Sequence, residues 1–397
     1  MIAVAGTAGS GKTTLGRALA TALAAPLLDL DAITNPLLDA LPADTLGGHW
    51  LAAPHRDAVR SGRYAALRSV TGDVVTTAGH AVLVAPFTAE LRGGEEWELL
   101  RDAAGKAELH VVHLVAGPDL LDARRAQRAA DRDQHRAPDV PTAPPAIPVI
   151  TVDAELTTEQ QLVRVLVALG RRTPIGVSNA VLHRDFDAVL FDLDGTLADS
   201  TASVLRSWRR FAAEIGIPAR AVAENHGQPA RHLLAKLLPP ERVEAGLTRI
   251  TDIEIADAQT LPRTPGALAF YESVPESRRA IVTSGAARLA TARLHGAGIP
   301  VPPVMVTADD IRRGKPDPEP YLLAARRLGV DPQRCLAVED AVAGIRSAKA
   351  AGCAVIAITG TSPADELHEA DLIVDALDQL RVEATTSLRI SSVQGVG

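Results

Sequence analysis

The sequence predicts an α/β protein of two domains, each a parallel sheet covered by helices. Three observations carry this. The chain has 397 residues, more than one hydrophobic core comfortably serves, so two units of roughly 150–200 residues are expected. Apolar residues make up 47% of it but aromatics only 3%, which leaves Ala, Leu and Val to build cores of buried parallel strands and their covering helices. Short Val/Ile/Leu runs also alternate with longer stretches of helical period, as successive βαβ units do.

The first series of apolar runs falls at 1–5, 26–30, 81–86, 109–115 and 148–152. After Gly170 the text RRTPIGVSNAVLHR loses its periodicity and gathers Pro, Gly, Ser and Asn, all loop formers. The expected division is therefore a first domain over 1–170, a linker over 171–185, and a second domain over 186–382. The second series runs AVLFDLDGT (188–196), AIVTSG (280–285), VMVTAD (304–309), CLAVED (335–340) and AVIAIT (354–359). Each run ends in polar residues, as strands do when a site lies at their C-terminal edge. The stretch from about 200 to 278 between its first two runs is helical in pattern. It is too long for a simple crossover and reads as a cap over the site. Residues 383–397 read as a loose tail.

A net charge of −7 supplies no basic field for nucleic acid or anionic membrane, so neither is an expected partner. Cys335 and Cys353 are the only cysteines, too few for a disulfide framework and wrongly spaced for zinc; they read as buried thiols in a reducing cytoplasm. No apolar run reaches the ~18 residues of a membrane span, and the N-terminus has no signal-peptide pattern. The expected location is the cytoplasm.

Gly6-Thr-Ala-Gly-Ser-Gly-Lys-Thr satisfies GxxxxGK[ST] directly after one run and before a helical one. Glycines at Gly6, Gly9 and Gly11 let backbone N–H groups curl around a polyphosphate at a positive helix terminus. Lys12 then reaches the outer phosphates, Thr13 offers its hydroxyl to magnesium, and Thr14 completes the ATP-binding loop. The second run ends in Asp29-Leu-Asp31, and no guanine-reading NKxD follows. This arrangement resembles small-molecule kinases of the shikimate and gluconate kinase type. The resemblance implies Asp31 as base toward an acceptor hydroxyl and Asp29 nearer the metal. In PDLLDARRAQRAADRDQHR it implies a lid, with Arg128 and Arg132 on ATP phosphate and Arg125 a weaker choice. Arg92 is the expected acceptor-pocket arginine; no obvious Walker B acid follows the run at 82–87.

In the second half, Asp192 and Asp194 stand two apart at the end of an apolar run and are followed by Gly195 and Thr196. Strict alternation would send the two carboxylates to opposite faces; the glycine turn can return both to one cavity. Phosphoryl transfer needs an anionic nucleophile, an acid for the leaving alkoxide and a cation for the equatorial oxygens. Later strand ends offer Thr283 as a hydroxyl donor, Lys315 as a fixed positive charge, and Glu339 and Asp340 as hard oxygen ligands for magnesium. DLDGTLADS, VTSG, GKPDPEPY and VEDAVAGIRSAKAAG resemble the four ordered motifs of the haloacid dehalogenase superfamily, a Rossmann-like core with a helical cap. The resemblance spans about 186–380. It implies Asp192 as nucleophile, Asp194 as acid/base, and Thr283 and Lys315 on the phosphate. Magnesium would be held by Asp192, Asp340 and the Asp194 carbonyl, with Glu339 beside them. The cap text HGQPARHLL and the following VTSGAARL resemble sugar- and glycerol-phosphate phosphatases and β-phosphoglucomutase relatives. This points to His226, Gly227 and Arg231, together with Ser284 and Gly285, as substrate contacts.

Together the halves suggest a bifunctional enzyme acting on small phosphate esters and ATP. Its parts would be a magnesium-dependent sugar or polyol phosphatase and an ATP-dependent sugar, polyol or cyclitol kinase. Three alternatives remain open: polynucleotide kinase-phosphatase chemistry, a P-loop module that only senses nucleotide, and mutase chemistry in the second half. Acidic charge and scarce aromatics argue against the first.

Overall fold

In the computed structural model the residues described are 1–42, 45, 50, 56–128, 144–171, 181–182, 184–217 and 230–393, the side chains of 125–128 and 232 excepted. The chain divides into two units, Met1–Gly170 and Arg171–Gly397.

The first unit is built on β1 (Ile2–Gly6), apolar and buried along its whole length. A strand with no polar face must be covered on both sides, which favours the middle of a parallel sheet. It lies there, in the order β2-β3-β1-β4-β5, with β2 at Leu27–Asp29, β3 at Val82–Val84, β4 at His110–Val115 and β5 at Ile150–Asp153. The helix Lys12–Ala22 packs close to the sheet because Gly16 has no side chain: a Cβ there would stand 2.3 Å from Val84 Cγ2. On the helix Arg56–Ala78, Tyr64 and Leu67 bury against Leu83, Phe87 and Leu100. Tyr64 Oη accepts the Phe87 N–H at 3.0 Å and holds the chain just beyond β3.

The second unit contains a six-stranded parallel sheet in the order β12-β11-β10-β7-β8-β9. Its strands are β7 (Ala188–Phe191), β8 (Arg279–Val282), β9 (Met305–Val306), β10 (Cys335–Glu339), β11 (Ala354–Ile358) and β12 (Leu372–Val374). Alternation along β7 splits the core in two. Val189 and Phe191 pack with Phe270, Tyr271 and Leu294, whereas Ala188 and Leu190 face Tyr321, Ala324 and Ile345. β7 comes first in this sheet yet lies between β10 and β8. The chain therefore winds outward in both directions from β7, opening a crevice at the C-terminal ends of these strands.

Helices Thr201–Ile215, Ala230–Leu237 and Val243–Asp257 form a cap with its own core of Trp208, Phe211, Leu234, Ile250 and Ile253. Two expectations are corrected. The cap was expected to reach about 278, but helix Ala267–Ser273 belongs to the sheet's core, where Phe270 and Tyr271 meet the Phe191 ring edge-on at 6.1 and 5.2 Å between centroids. The expected loose tail is a hairpin, with β13 (Leu380–Ala384) pairing antiparallel to β14 (Leu388–Ser392) and β14 continuing onto β6 (Asp185–Phe186). Leu388 and Ile390 alternate inward and are fully buried, a period of two too short to stand out in sequence.

Among the described residues, no helix is long and apolar enough to cross a membrane.

Candidate active site

The crevice beside β7 collects groups spread over four segments: Asp192 and Asp194 after β7, Thr283 after β8, Glu339 and Asp340 at the end of β10, and Lys315, expected at a strand end, in the turn before helix Glu319–Leu328. Asp192 follows β7 directly, its N–H donating to Val338 O at 2.9 Å, and the chain then turns through Gly195 at φ 85°. The glycine is required twice. Its φ is one that side chains rarely adopt, and a Cβ would stand 1.8 Å from Asp340 Oδ2. Gly344 plays a similar part at the other wall, where a Cβ would lie 2.0 Å from the Glu339 carboxyl.

Lys315 occupies the centre. Its Nζ donates to Asp192 Oδ1 at 2.5 Å, Glu339 Oε1 at 2.6 Å and Val282 O at 2.9 Å, so all three of its protons are used. Tyr321 Oη also donates to Glu339 Oε1, at 2.5 Å. Asp192, Glu339 and Asp340 are buried, and one ligand oxygen from each lies within 4.8 Å of the others. At that separation like charges repel by several kcal/mol per pair even at an effective dielectric of ~20. One ammonium does not balance three carboxylates.

The consequences appear in the ionisation of the cluster. Burial lifts the Asp192 carboxyl to about 7, partly opposed by Lys315 and reinforced by Glu339 and Asp194. Burial, with Asp192 and Glu339 beside it, pushes Asp340 well above the carboxylate range. Lys315 moves the other way from what burial alone would do, because Asp192 and Glu339 hold its proton. Asp192 Oδ2 and Asp340 Oδ2 are buried with no hydrogen-bond partner among the described residues. Two orphaned carboxylate oxygens in a set of three hard donors match the needs of a small divalent cation.

Asp194 faces a second group of partners. Ser200 Oγ donates to its Oδ1 at 2.6 Å, Thr283 Oγ1 to its Oδ2 at 3.4 Å, and Arg293 Nη1 lies 2.8 Å from Oδ2. Thr283 is buried and also accepts the Gly285 N–H at 3.0 Å, whereas Ser284 is exposed. Arg231, expected as a substrate contact, is exposed on its cap helix and paired with Glu244 of the next one. No contact between it and the carboxylate cluster is seen among the described residues. His226 and Gly227 lie outside the described residues.

In the first unit the glycine loop leaves β1 and enters helix Lys12–Ala22 through Gly11, with Gly9 at φ 88° and Gly11 at φ 96°. Lys12 Nζ donates to Thr7 O at 3.1 Å, and Thr13 Oγ1 to Asp29 Oδ2 at 3.1 Å; Thr14 is exposed. The other oxygen of Asp29 caps helix Leu30–Asp39 by accepting the N–H groups of Asp31 and Ala32. Asp31 Oδ1 is paired with Arg63 Nη2 at 2.6 Å, and Arg63 also donates to Thr34 and Asn35. The arginine brought to Asp31 is therefore Arg63 of the long helix. Arg92, expected to line the acceptor pocket, is exposed in the turn Glu90–Arg92. Arg124 is likewise an unforeseen contact: its guanidinium donates to Gly9 O, Ser10 O and Ala154 O at 3.4, 3.0 and 2.8 Å. It lies one helical turn before Arg128, in the basic stretch read as a lid. Arg132 and the side chains of Arg125 and Arg128 are outside the described residues.

Ser200 and Tyr321 were legible in outline, since both lie inside the motifs DLDGTLADS and GKPDPEPY. Arg63, Arg293 and the cap residue Glu254 carried no local signal.

Residues 186–352 match the family of haloacid dehalogenase-like hydrolases, and residues 1–143 match an AAA domain family. The chain is 42% identical over 200 residues to hexitol phosphatase A of Escherichia coli, covering 49% of this chain and 92% of that protein. It is 33% identical over 210 residues to validoxylamine A 7'-phosphate phosphatase of Streptomyces hygroscopicus subsp. limoneus, covering 49% and 96%. A crystal structure of CbbY from Rhodobacter sphaeroides with phosphate aligns over 48% of this chain and 94% of that one, at 25% identity and a TM-score of 0.44. The crevice, its four ordered motifs and the sequence matches agree: the chain belongs to the haloacid dehalogenase-like hydrolases through its second unit, preceded by a P-loop kinase-like domain.

Proposed function

We propose that the second unit hydrolyses phosphate monoesters of sugars or polyols through a phosphorylated Asp192. The carrying observation is the orphaned Asp192 Oδ2, buried beside Lys315 while its sister oxygen is held at 2.5 Å. In this reading one carboxylate oxygen of Asp192 attacks phosphorus in line, forming the new O–P bond as the ester P–O bond breaks. Asp194 hands a proton to the departing alkoxide, then accepts one from the water that releases phosphate. Lys315 and Thr283 hold the equatorial oxygens. Magnesium, when bound, would supply the remaining positive charge there, held by Asp192, Asp340 and the Asp194 carbonyl with Glu339 alongside. The similarity to a hexitol phosphatase supports a polyol phosphate as substrate.

For the first unit we propose ATP-dependent phosphorylation of a small polyhydroxy acceptor. The loop N–H groups and Lys12 would carry the phosphates, Thr13 and Asp29 the metal, and Asp31 the acceptor hydroxyl. Separate panels of sugar and polyol phosphates, and of polyols with ATP, test both halves. The expected result is phosphate release from a hexitol or related phosphate and ATP-dependent labelling of a polyol. ATP consumption that labels no acceptor would reduce the first unit to a nucleotide sensor, and isomeric phosphate esters in place of free phosphate would make the second a mutase.

A further inference from the structure

One buried side chain joins the reacting core to the cap. Arg293, on the core helix Ala287–Gly296, is 5% exposed, and its two terminal nitrogens serve different bodies. Nη1 lies 2.8 Å from Asp194 Oδ2, and Nη2 donates to Glu254 Oε1 at 3.3 Å. Glu254 sits near the end of the last cap helix, Val243–Asp257, and is itself 7% exposed. The other oxygen of Asp194 is held by Ser200, the residue from which the first cap helix, Thr201–Ile215, starts. Both oxygens of Asp194 thus answer to the cap, one where the chain enters it and one where it leaves.

A guanidinium this deeply buried is stable only while its charge and its N–H groups are matched. Glu254 supplies half of that match, and its loss leaves Arg293 free to turn from Asp194. Oδ2 is thus held by Arg293 and Thr283 from the core and Oδ1 by Ser200 at the cap's start, which fixes the orientation of the Asp194 carboxyl.

We propose that Arg293, oriented by Glu254, is a positioning residue that holds the Asp194 carboxyl in the orientation from which it serves the leaving oxygen. This rests on the reading of Asp194 as the acid above. Its signature is dependence on the leaving group. An alkoxide must be protonated as its P–O bond breaks, whereas p-nitrophenolate departs as the anion.

The test uses single-turnover cleavage of glycerol 1-phosphate and of p-nitrophenyl phosphate by the full chain with magnesium. Arg293→Met is expected to slow cleavage of the alkyl ester by about 100-fold, within the range for lost general acid catalysis. The aryl ester should be slowed less than about tenfold, with half-saturating concentrations nearly unchanged. Arg293→Lys should recover part of the loss, and the nearly isosteric Glu254→Gln should show the same selectivity at smaller size. Equal slowing of both esters, or an effect on saturation alone, overturns the proposal. If melting curves show Arg293→Met misfolded, Glu254→Gln decides. Asp192→Asn is the separate control: retained cleavage of either ester there would fault the phosphatase reading itself.

Discussion

The two candidate sites of this chain are built on opposite plans. In the first unit the candidate anion site is one continuous stretch of backbone, Gly6 to Thr13, with Gly9 and Gly11 at φ 88° and 96°. In the second unit side chains converge from three strand ends and, with Lys315, from the turn before helix Glu319–Leu328, and the buried carboxylates stand within 4.8 Å of one another. A backbone site is largely complete once its loop folds, because peptide dipoles need no counter-charge. A convergent site holds unlike charges in tension, and removing any member changes the ionisation of the others. Contiguous sites should therefore respond to mutation in a graded way, and convergent ones steeply.

The sharpest test of that contrast is Asp192→Asn, expected to reduce phosphate release by more than about ten-thousand-fold, the scale of losing a covalent nucleophile. ATP consumption should stay within about twofold of the unmodified chain if the sites are autonomous. Parallel loss of both activities would break the comparison. The reciprocal change, Lys12→Ala, should lower ATP consumption by about 100- to 1,000-fold, as removal of one electrostatic donor does elsewhere, and leave phosphate release intact.

Smaller effects probe each plan from within. Arg124→Ala removes three donated bonds to backbone carbonyls and should weaken ATP binding by about tenfold, or about 1.4 kcal/mol, read by titration of nucleotide. An unchanged affinity would mean the glycine loop holds its shape unaided. The smallest expected change is in stability. Because burial raises the Asp192 carboxyl from 3.8 to about 7, the unfolded chain binds fewer protons than the folded one between those values. Stability of the metal-free protein should therefore fall as pH rises from about 4 to 7. Melting curves in chelator should show the second unit losing several degrees over that window, and magnesium should restore them by binding the ionised cluster. A pH-independent midpoint would mean the cluster is already neutralised.

How much was legible follows the same division. The strands of both parallel sheets show as apolar runs, those of the second with polar ends, except β12, and the terminal hairpin looks like a tail. Helix Ala267–Ser273 looks like cap from the sequence because helical period alone does not say which body a helix packs against. Arg63 meets Asp31 from 32 residues away, and Arg124 meets Gly9 from 115. No spacing rule links such pairs; the crossing of a helix over a sheet edge does.

By itself the amino-acid sequence determined which local motif each half carries and the family of the second. The glycine loop and the DLDGT turn are made of chain neighbours, whose relative placement local backbone geometry dictates. Only the tertiary structure decided which charges meet: Lys315 among three carboxylates, and Arg293 between Asp194 and the cap. The physical reason is that a buried charge is tolerated only where folding delivers its partner, and that partner is set by packing rather than by distance along the chain.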